Sequence, residues 1–503
     1  MRVATEDGSS THPPIEYKHA QEPLVYIPRT GVRKSRPSLI GIQNRPNGHD
    51  QYLSRFCCDR SRHLGRDRWD HRDDIALGYL MTNWLLDQVQ RIKGAAREEE
   101  APGIWDLHGG CPYWIARNAS RTDYAQLNAD VHTDVVIIGG GVTGALCAYH
   151  LIEAGVPCVV VDARSIGTGS TCASTALLQY EIDTPLHELI GHVGLSHAVR
   201  AYQASVYSVN ALIELASRLG NSSIQPRKSV QYASRERHVR SLKEEAEIRN
   251  TCGIPVELLI GAETRQALPF EAPAALRSEL AAEADAWRLT HALHDHSRAA
   301  GVQVYERTAI VDFHDDRTSI RLRTADGCTL RAKHLIYATG YASVDLLPEK
   351  VVDMHSTYAL VTCAGTLAEP WPGAALIWET AQPYLYLRTA PQGRIIVGGR
   401  DEPFRSPALR DALLQRKTDA LLRDLSRLLP DVQMRSEFAW CGTFGTTKDG
   451  LPYIDRHPRR RSSWFALGMG GNGITFSVLA AQIIRDGILG VPNPHMDLFR
   501  FDR

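Results

Sequence analysis

The 503-residue sequence contains no run of about 18 consecutive apolar residues, which is the length that a membrane-crossing helix needs. Its first residues lack the short apolar core and small-residue cleavage site of a secretory signal. Lysine plus arginine equals aspartate plus glutamate, at 57 each, so no net field favours nucleic acid or an anionic lipid surface. We therefore expect a soluble protein with no integral membrane segment and no nucleic-acid partner.

Paired cysteines are also missing. Ten cysteines are spread along the chain, and the adjacent Cys57 and Cys58 do not have the spacing of a zinc knuckle or a disulfide framework. Scattered, unpaired cysteines favour a reducing, cytoplasmic location for the protein. His291, His294 and His296 lack partner cysteines or carboxylates, so we predict no metal site and place them at a helix start. A serine nucleophile elbow is absent too, which argues against a hydrolase.

Residues 1–105 are polar and basic and follow neither helical nor strand periodicity, except for helical spacing at 80–92. We expect a poorly ordered N-terminal extension: a tail, an interaction arm or an over-extended translation start with Met81 as an internal alternative. The rest of the chain is long and apolar enough to bury the cores of two or more domains.

A strand–turn–helix–strand pattern lies at residues 134–162. An apolar run at 134–138 leads into Gly-Gly-Gly-Val-Thr-Gly at 139–144, then a helical segment, then a second apolar strand that ends on Asp162. In such a motif the first glycine makes a tight turn, the second lets the backbone approach a pyrophosphate, and the third lets helix and strand pack closely. Asp162 follows the first glycine by a distance that suits hydrogen bonds from a ribose. The pattern predicts a dinucleotide site.

The segment after Asp162 favours flavin over nicotinamide. Residues 163–176 form a small, hydroxyl-rich loop where a nicotinamide enzyme continues with regular structure. A strand near Ile310, the Ala-Thr-Gly turn at 338–340 and the glycine loop at 468–473 add further contacts. The candidate FAD-binding residues are Gly139, Gly141, Val142, Thr143, Gly144, Asp162, Ala163, Arg164, Gly169, Ser170, Thr171, Ser174, Ile310, Thr339, Gly340, Gly471, Asn472, Gly473, Ile474 and Thr475.

The order of these motifs resembles the FAD-dependent oxidoreductases of the D-amino-acid oxidase and sarcosine oxidase type, the glycine oxidase/DAO superfamily. The resemblance covers about residues 112–490 and includes Trp-Cys-Gly at 440–442 and Asp-Gly-Leu-Pro at 449–452. It implies an α/β fold in which a discontinuous Rossmann-like FAD-binding domain is interleaved with an antiparallel-sheet substrate domain. The implied FAD-binding segments are 106–182, 283–345 and 438–490, and the substrate domain takes 183–282 and 346–437.

The implied substrate domain contains the alternating segment 384–389, which favours a strand with Tyr384, Tyr386 and Arg388 on one face. These residues are candidates for a pocket in which Arg388 pairs with a substrate carboxylate. A solvated sheet face explains the same pattern equally well. Tyr232 and Tyr358 are weaker candidates, and no catalytic residue is assigned.

Departures from the family pattern limit what can be carried over. The strand at 394–400 has no lysine of the kind that promotes reaction with oxygen in sarcosine oxidase-like members, so the electron acceptor is oxygen or an unknown oxidant. Gly442 stands where covalent members have cysteine, so we expect non-covalent FAD. Asn472 and Thr475 stand where relatives carry histidine and lysine.

The resemblance implies hydride transfer to flavin from a carbon that bears nitrogen, in a small amine or amino acid, followed by hydrolysis of the imine. Two alternatives stay open, because a fold hosts many functions. One is a flavoenzyme for a non-amine such as a 2-hydroxy acid, including a dehydrogenase with a protein or quinone acceptor. The other is a flavin-bearing subunit whose N-terminal region binds a protein partner.

Overall fold

A computed structural model describes residues 106–118, 123–220, 223–315, 319–342, 347, 349–458, 460 and 462–503. The predicted N-terminal extension, with its helical segment at 80–92, lies outside the described residues. Within the described part of the chain, no helix combines the length and the apolar character needed to cross a membrane.

A central sheet carries the strand–turn–helix–strand motif. Its strands run parallel to one another except at one edge, where Tyr453–Arg456 is antiparallel to Ser463–Leu467. Val135 and Ile137 face helices and Val136 faces a second sheet, and all three are fully buried, as expected for a parallel sheet covered on both faces. In spatial order its described strands are Tyr453–Arg456, Ser463–Leu467, His334–Tyr337, Val135–Ile138, Cys158–Val161 and Gln303–Tyr305.

Three helices cover one face of the central sheet. Val142–Glu153 packs against both Gly473–Leu489 and Ala286–Ala299. Asp285 caps the last of these by accepting a hydrogen bond from the backbone of Arg288 at 3.0 Å. The other described α-helices are Tyr113–Arg117, Ser170–Ala173, Leu186–Val193, Leu195–Arg218, Val239–Thr251, Pro407–Ala412 and Leu414–Leu428.

The opposite face of the central sheet is covered by a small sheet. Val136, Val159 and Val161 share an apolar cluster with residues of the small sheet such as Leu322 and Leu330. Its described strands, in order, are Ile310–Asp315, Ile320–Thr324, Thr329–Ala332 and Val131–His132.

A large sheet forms a separate layer that is antiparallel except where Leu376–Glu379 pairs in parallel with Ile224–Tyr232. Helix Leu414–Leu428 packs on one of its faces. Its described strands, in order, are His108–Gly110, Ser436–Thr446, Asp353–Thr362, Arg394–Glu402, Tyr386–Ala390, Leu376–Glu379, Ile224–Tyr232, Ala274–Ala284 and Leu177–Gln179, and Glu257–Ile260 pairs with Ala274–Ala284.

Strand pairing cuts across the predicted segment boundaries. Ser436–Thr446 and Leu177–Gln179 pair within the large sheet, whereas the predicted division gives 438–490 and 106–182 to the FAD-binding domain. Leu177–Gln179 follows the central-sheet strand Cys158–Val161, and Ser436–Thr446 precedes the central-sheet strand Tyr453–Arg456, so the chain passes between the two sheets inside these predicted segments. The division into domains therefore stays a prediction.

Candidate active site

A cavity of about 780 Å³ lies where residues of the central, small and large sheets meet. Its lining includes the turn after Val135–Ile138, the loop that follows Asp162, and the C-terminal glycine loop. Of the candidate FAD-binding residues, all line it except Gly144 and Thr475. Tyr384 and Tyr386 line the same cavity, so the predicted cofactor and substrate residues share one space.

The glycine turn fits the three roles inferred from the sequence. Gly139 has φ 111°, and a Cβ there would lie 2.4 Å from the carbonyl oxygen of Ala338. A Cβ on Gly144 would lie 1.8 Å from the carbonyl oxygen of Gly139, so Gly144 serves the close packing of helix on turn and does not line the cavity. Gly141 lines the cavity and begins helix Val142–Glu153.

Asp162 is held rigidly at the end of its strand. One carboxylate oxygen accepts a hydrogen bond from the backbone of Gly140 at 2.7 Å and the other from that of Arg164 at 2.8 Å. Burial raises the pKa of Asp162, and the two backbone donors oppose the rise. The carboxylate therefore joins the glycine turn to the loop that comes after it.

The three clustered histidines lie in the middle and last turn of helix Ala286–Ala299, not at its start as predicted, and two of them are buried. His294 Nε2 lies 3.1 Å from the carbonyl oxygen of Gly140, and burial lowers its pKa to about 4, so the neutral ring donates to the glycine turn. His291 bonds the hydroxyl of Tyr124 at 2.9 Å, and His296 lies 2.9 Å from Glu153. The support that His294 gives to the turn was not foreseen, because its partner is 154 residues away.

The hydroxyl-rich loop presents polar atoms to the cavity. Thr171 Oγ1 accepts a hydrogen bond from the backbone of Val142 at 3.0 Å, which ties the loop to the first turn of the helix. Ser170 Oγ and Thr339 Oγ1 are buried, line the cavity and have no hydrogen-bond partner among the described residues. Buried hydroxyls of this kind fit a bound polar ligand such as FAD, because they need a partner.

The C-terminal glycine loop is tied to the segment at 179–183. Asn472 donates its side-chain amide to the backbone oxygens of Gln179 and Glu181 at 3.0 and 2.8 Å. Thr475 donates its hydroxyl to the Gln179 oxygen at 3.2 Å, which is why it does not line the cavity. The loop thus depends on these two side chains for its position.

Three buried donors hold consecutive carbonyl groups of the hydroxyl-rich loop at 163–176, which we call the cofactor loop. Trp440 Nε1 donates to the oxygen of Ala173 at 2.7 Å, and Trp114 Nε1 donates to that of Ser174 at 2.6 Å. Arg388 Nε donates to the oxygen of the next residue, Thr175, at 2.9 Å. We call these three side chains the loop clamp. They come from three separate parts of the sequence.

The prediction that Arg388 pairs with a substrate carboxylate is wrong for this geometry. Its side chain is buried, does not line the cavity, and also donates to the oxygen of Ala284 at 2.8 Å and contacts Glu283 at 3.1 Å. Burial lowers the pKa of Arg388, and Glu283 opposes this. Its donors are used within the protein.

Tyr358 also lies outside the cavity. It is 1% exposed and packs with Leu421 and Leu425 on the helix-covered face of the large sheet. Its neighbour Thr357 lines the cavity, so strand alternation turns Tyr358 to the opposite face. Tyr232 lies outside the lining as well, and its hydroxyl donates to Glu379 at 3.2 Å.

Tyr384 and Tyr386 line the cavity, although Tyr384 precedes the strand Tyr386–Ala390. Tyr384 donates its hydroxyl to Asp183 at 3.1 Å, and burial raises the pKa of both tyrosines. Asp183 also accepts from the backbone of Gly471 at 2.7 Å. Asp183 was not foreseen, since the sequence places it in no periodic segment.

A β-bulge brings Asp401 into the cavity. Tyr358 pairs with Gly399 but Ser356 pairs with Glu402, so the strand Arg394–Glu402 holds one extra residue between the two pairs. Arg400, at φ 61°, is the irregular residue. Before the bulge, Ile395 and Val397 pack on the helix-covered face, and simple alternation would put Asp401 there as well. The bulge reverses the alternation, and Asp401 lines the cavity.

A family model described as "FAD dependent oxidoreductase", DAO, matches residues 134–486. The chain belongs to this family. FAD is therefore the cofactor of this oxidoreductase, and the predicted family, cofactor and enzyme class are confirmed. The glycine turn, Asp162 and the buried hydroxyls of Ser170 and Thr339 are residues that suit bound FAD.

Curated relatives of this DAO-family chain include a glycine oxidase of Bacillus licheniformis, 24% identical over 366 residues, which cover 71% of this chain and 94% of the relative. A gamma-glutamylputrescine oxidoreductase of Escherichia coli is 23% identical over 416 residues, covering 78% and 90%. The crystal structure of glycine oxidase from Geobacillus kaustophilus superposes with a TM-score of 0.60 at 23% identity, covering 72% of this chain and 96% of that one. This likeness confirms the predicted fold class.

Proposed function

We propose that the protein oxidises a C–N bond of a small amine or amino acid, with FAD as the hydride acceptor. The carrying observation is that one cavity joins the dinucleotide turn at Gly139 and Asp162 to Tyr384 and Tyr386 of the large sheet. The names of the glycine oxidase and gamma-glutamylputrescine oxidoreductase relatives support a nitrogen-bearing substrate.

The chemistry that bound FAD supplies is acceptance of a hydride from the carbon next to nitrogen. In this proposal the nitrogen loses a proton, and the imine product takes up water to give a carbonyl compound and an amine or ammonia. The protein's part is to hold the substrate and to exclude water. Tyr384, Tyr386 and Trp378 supply the aromatic walls, and the Tyr384 hydroxyl keeps its proton because burial raises its pKa well above the usual value.

The protein is expected to lose its visible flavin absorption when pooled amines and amino acids are added without oxygen. The measurement is an anaerobic spectrum before and after addition. Peroxide formation when air is admitted would identify an oxidase, and its absence would identify a dehydrogenase with another acceptor. If the flavin absorption persists with every nitrogen-bearing compound, the proposal is rejected, and a 2-hydroxy acid or another non-amine is favoured as the substrate.

We also propose that FAD is bound without a covalent link. Gly442 occupies the position where covalent relatives carry cysteine, and the neighbouring Cys441 is buried, lies 3.1 Å from Asp411 and does not line the cavity. Acid precipitation is expected to leave a yellow supernatant and a colourless pellet. A yellow pellet would contradict this.

We also propose the division into two domains and a cellular location. Most of the candidate FAD-binding residues lie in the turns, loops and helices that follow strands of the central sheet. This supports an FAD-binding domain made of 106–182, 283–345 and 438–490, with 183–282 and 346–437 as substrate domain. The scattered cysteines support a cytoplasmic location. Limited proteolysis and cell fractionation test the two proposals.

A further inference from the structure

Two partly buried carboxyl groups line the cavity: Asp183, in the segment that follows strand Leu177–Gln179, and Asp401, in strand Arg394–Glu402 of the large sheet. Asp183 accepts hydrogen bonds from the Tyr384 hydroxyl and the Gly471 backbone, which are neutral donors. Asp401 is bonded to the hydroxyl of Thr357, and its Oδ1 atom is buried with no hydrogen-bond partner among the described residues. Burial raises the pKa of both carboxyl groups, and neither has a salt-bridge partner in the described part of the chain. A cationic ligand beside them would stabilise their charged forms.

The basic residues near the cavity are engaged elsewhere. Arg164 follows Asp162 at the nucleotide turn. Arg460 donates to the Tyr337 hydroxyl at 3.2 Å and lies 5.0 Å from the ring centre of Phe313. Among described residues these are the two arginines of the lining, which includes no lysine. Both adjoin residues of the central and small sheets, so neither arginine of the lining pairs with Asp183 or Asp401.

Lys417 lies behind the large sheet and does not reach the cavity. Its ammonium group donates to Glu402 and to the carbonyl oxygen of Arg400, and it lies 5.2 Å from the ring centre of Tyr358 on the helix-covered face. Lys417 therefore forms its ion pair with Glu402, and the Asp401 carboxylate can bind a ligand.

Aromatic rings surround the same end of the cavity. The ring of Tyr384 lies 6.1 Å from that of Trp378 and 5.6 Å from that of Tyr386, and all three line the cavity. Glu181 is 5% exposed and also lines it, with Oε1 3.6 Å from Arg249 and Oε2 without a hydrogen-bond partner among the described residues. Carboxylates combined with aromatic faces are a typical arrangement for binding alkylammonium groups.

We propose that Asp401 and Asp183 bind a cationic group of the substrate, so that the protein prefers a diamine, or another amine with a second positive charge, to an α-amino acid. The inference rests on the proposed oxidation of a C–N bond and narrows its substrate class. The second ammonium group lies at Asp401 and Asp183, while the nitrogen next to the oxidised carbon is neutral. An α-carboxylate would meet these two carboxylates with no arginine to pair it, since Arg388 is used in the loop clamp.

The test compares 1,4-diaminobutane with n-butylamine, glycine and sarcosine on the FAD-loaded protein. For the wild type, we expect the concentration that gives half-maximal flavin reduction to be at least about tenfold lower for diaminobutane than for each of the other three compounds. Asp401→Asn is expected to raise the half-saturating diaminobutane concentration about tenfold or more, with little change for n-butylamine. A thermal-shift measurement reads binding independently of turnover, and diaminobutane should raise the melting temperature of the wild type more than that of the variant.

Asp295→Asn is the matched control, because Asp295 is exposed on helix Ala286–Ala299 and its nearest charged partner is Arg298 at 3.6 Å. It is expected to behave as wild type. Asp401→Asn should fold, because the charged carboxylate is disfavoured by burial and asparagine keeps the hydrogen bond to Thr357.

The pH dependence of diaminobutane binding is a separate test of the role of Asp401. Burial raises the pKa of Asp401 to about 6; Asp183 and Glu402 add to the rise, and Thr357 and Lys417 oppose it. Asp401 gains its charge as the pH rises through that value, so diaminobutane binding in the thermal-shift assay should tighten there. Asp401→Asn should remove this dependence.

Reduction by glycine or sarcosine with no binding of diaminobutane would overturn the inference and leave the proposed function standing. Equal half-saturating concentrations in wild type and Asp401→Asn would also overturn it. Asp401-dependent diaminobutane binding without reduction by any amine would support the cation site and reject the proposed oxidation.

Discussion

Gly144→Ala is expected to give a folded protein that binds FAD much more weakly than the wild type. The new Cβ would lie 1.8 Å from the carbonyl oxygen and 3.0 Å from the carbonyl carbon of Gly139, and neither backbone atom can rotate away. Helix Val142–Glu153 must shift from the turn that binds the pyrophosphate. Overpacking of this kind costs about 1–3 kcal/mol. If that cost falls on the bound state, affinity drops roughly 5- to 150-fold.

The measurement is the ratio of FAD to protein after purification, followed by titration of FAD into the stripped protein. Gly191→Ala is the matched control, because Gly191 is also helical, within Leu186–Val193, and a Cβ there meets nothing within 4 Å. It should keep full FAD content and gain up to about 1 kcal/mol of stability from the better helix propensity of alanine. Equal FAD affinity in both variants would show that the packing at Gly144 does not control the cofactor turn.

Arg388→Met is expected to destabilise the protein by about 2–3 kcal/mol. Methionine preserves much of the volume but removes donors to the oxygens of Thr175 and Ala284, at 2.9 and 2.8 Å, and the contact with Glu283 at 3.1 Å. Arg227 still pairs with Glu283 at 2.8 Å, which keeps the loss below that of a fully unpaired buried charge. Because Thr175 belongs to the cofactor loop, FAD affinity should fall as well.

Denaturant unfolding of the FAD-loaded and stripped forms separates these two effects. Arg265→Met serves as control, since its ion pair with Glu271 is exposed on both sides, at 63% and 55%, and should contribute less than about 1 kcal/mol. If Arg388 bound a substrate carboxylate, its loss would instead raise the half-saturating concentration of amino acids at unchanged stability. That pattern would reject the loop clamp.

The cofactor half of the site was predictable because its signal is local. Three glycines and a carboxylate within 24 residues carry their own steric and hydrogen-bonding requirements, and the structure places Gly139, Gly141 and Asp162 at the cavity. Two further glycine-containing segments of the sequence extended this signal to Thr339 and to the loop at 471–474. The sequence did not predict the direction of every side chain. The Thr475 hydroxyl and the Asn472 amide donate to backbone oxygens of the 179–181 segment.

The sequence by itself thus determined the central sheet, the dinucleotide turn and the FAD-dependent class, because buried parallel strands and glycine turns are specified by neighbouring residues. Tertiary structure alone decided the substrate end. An extra residue in one strand turns Asp401 inward, regular alternation turns Tyr358 outward, and Arg388 bonds carbonyl groups 213 and 104 residues away in sequence. Strand register and long-range hydrogen bonds depend on the partner strand, which no local pattern contains.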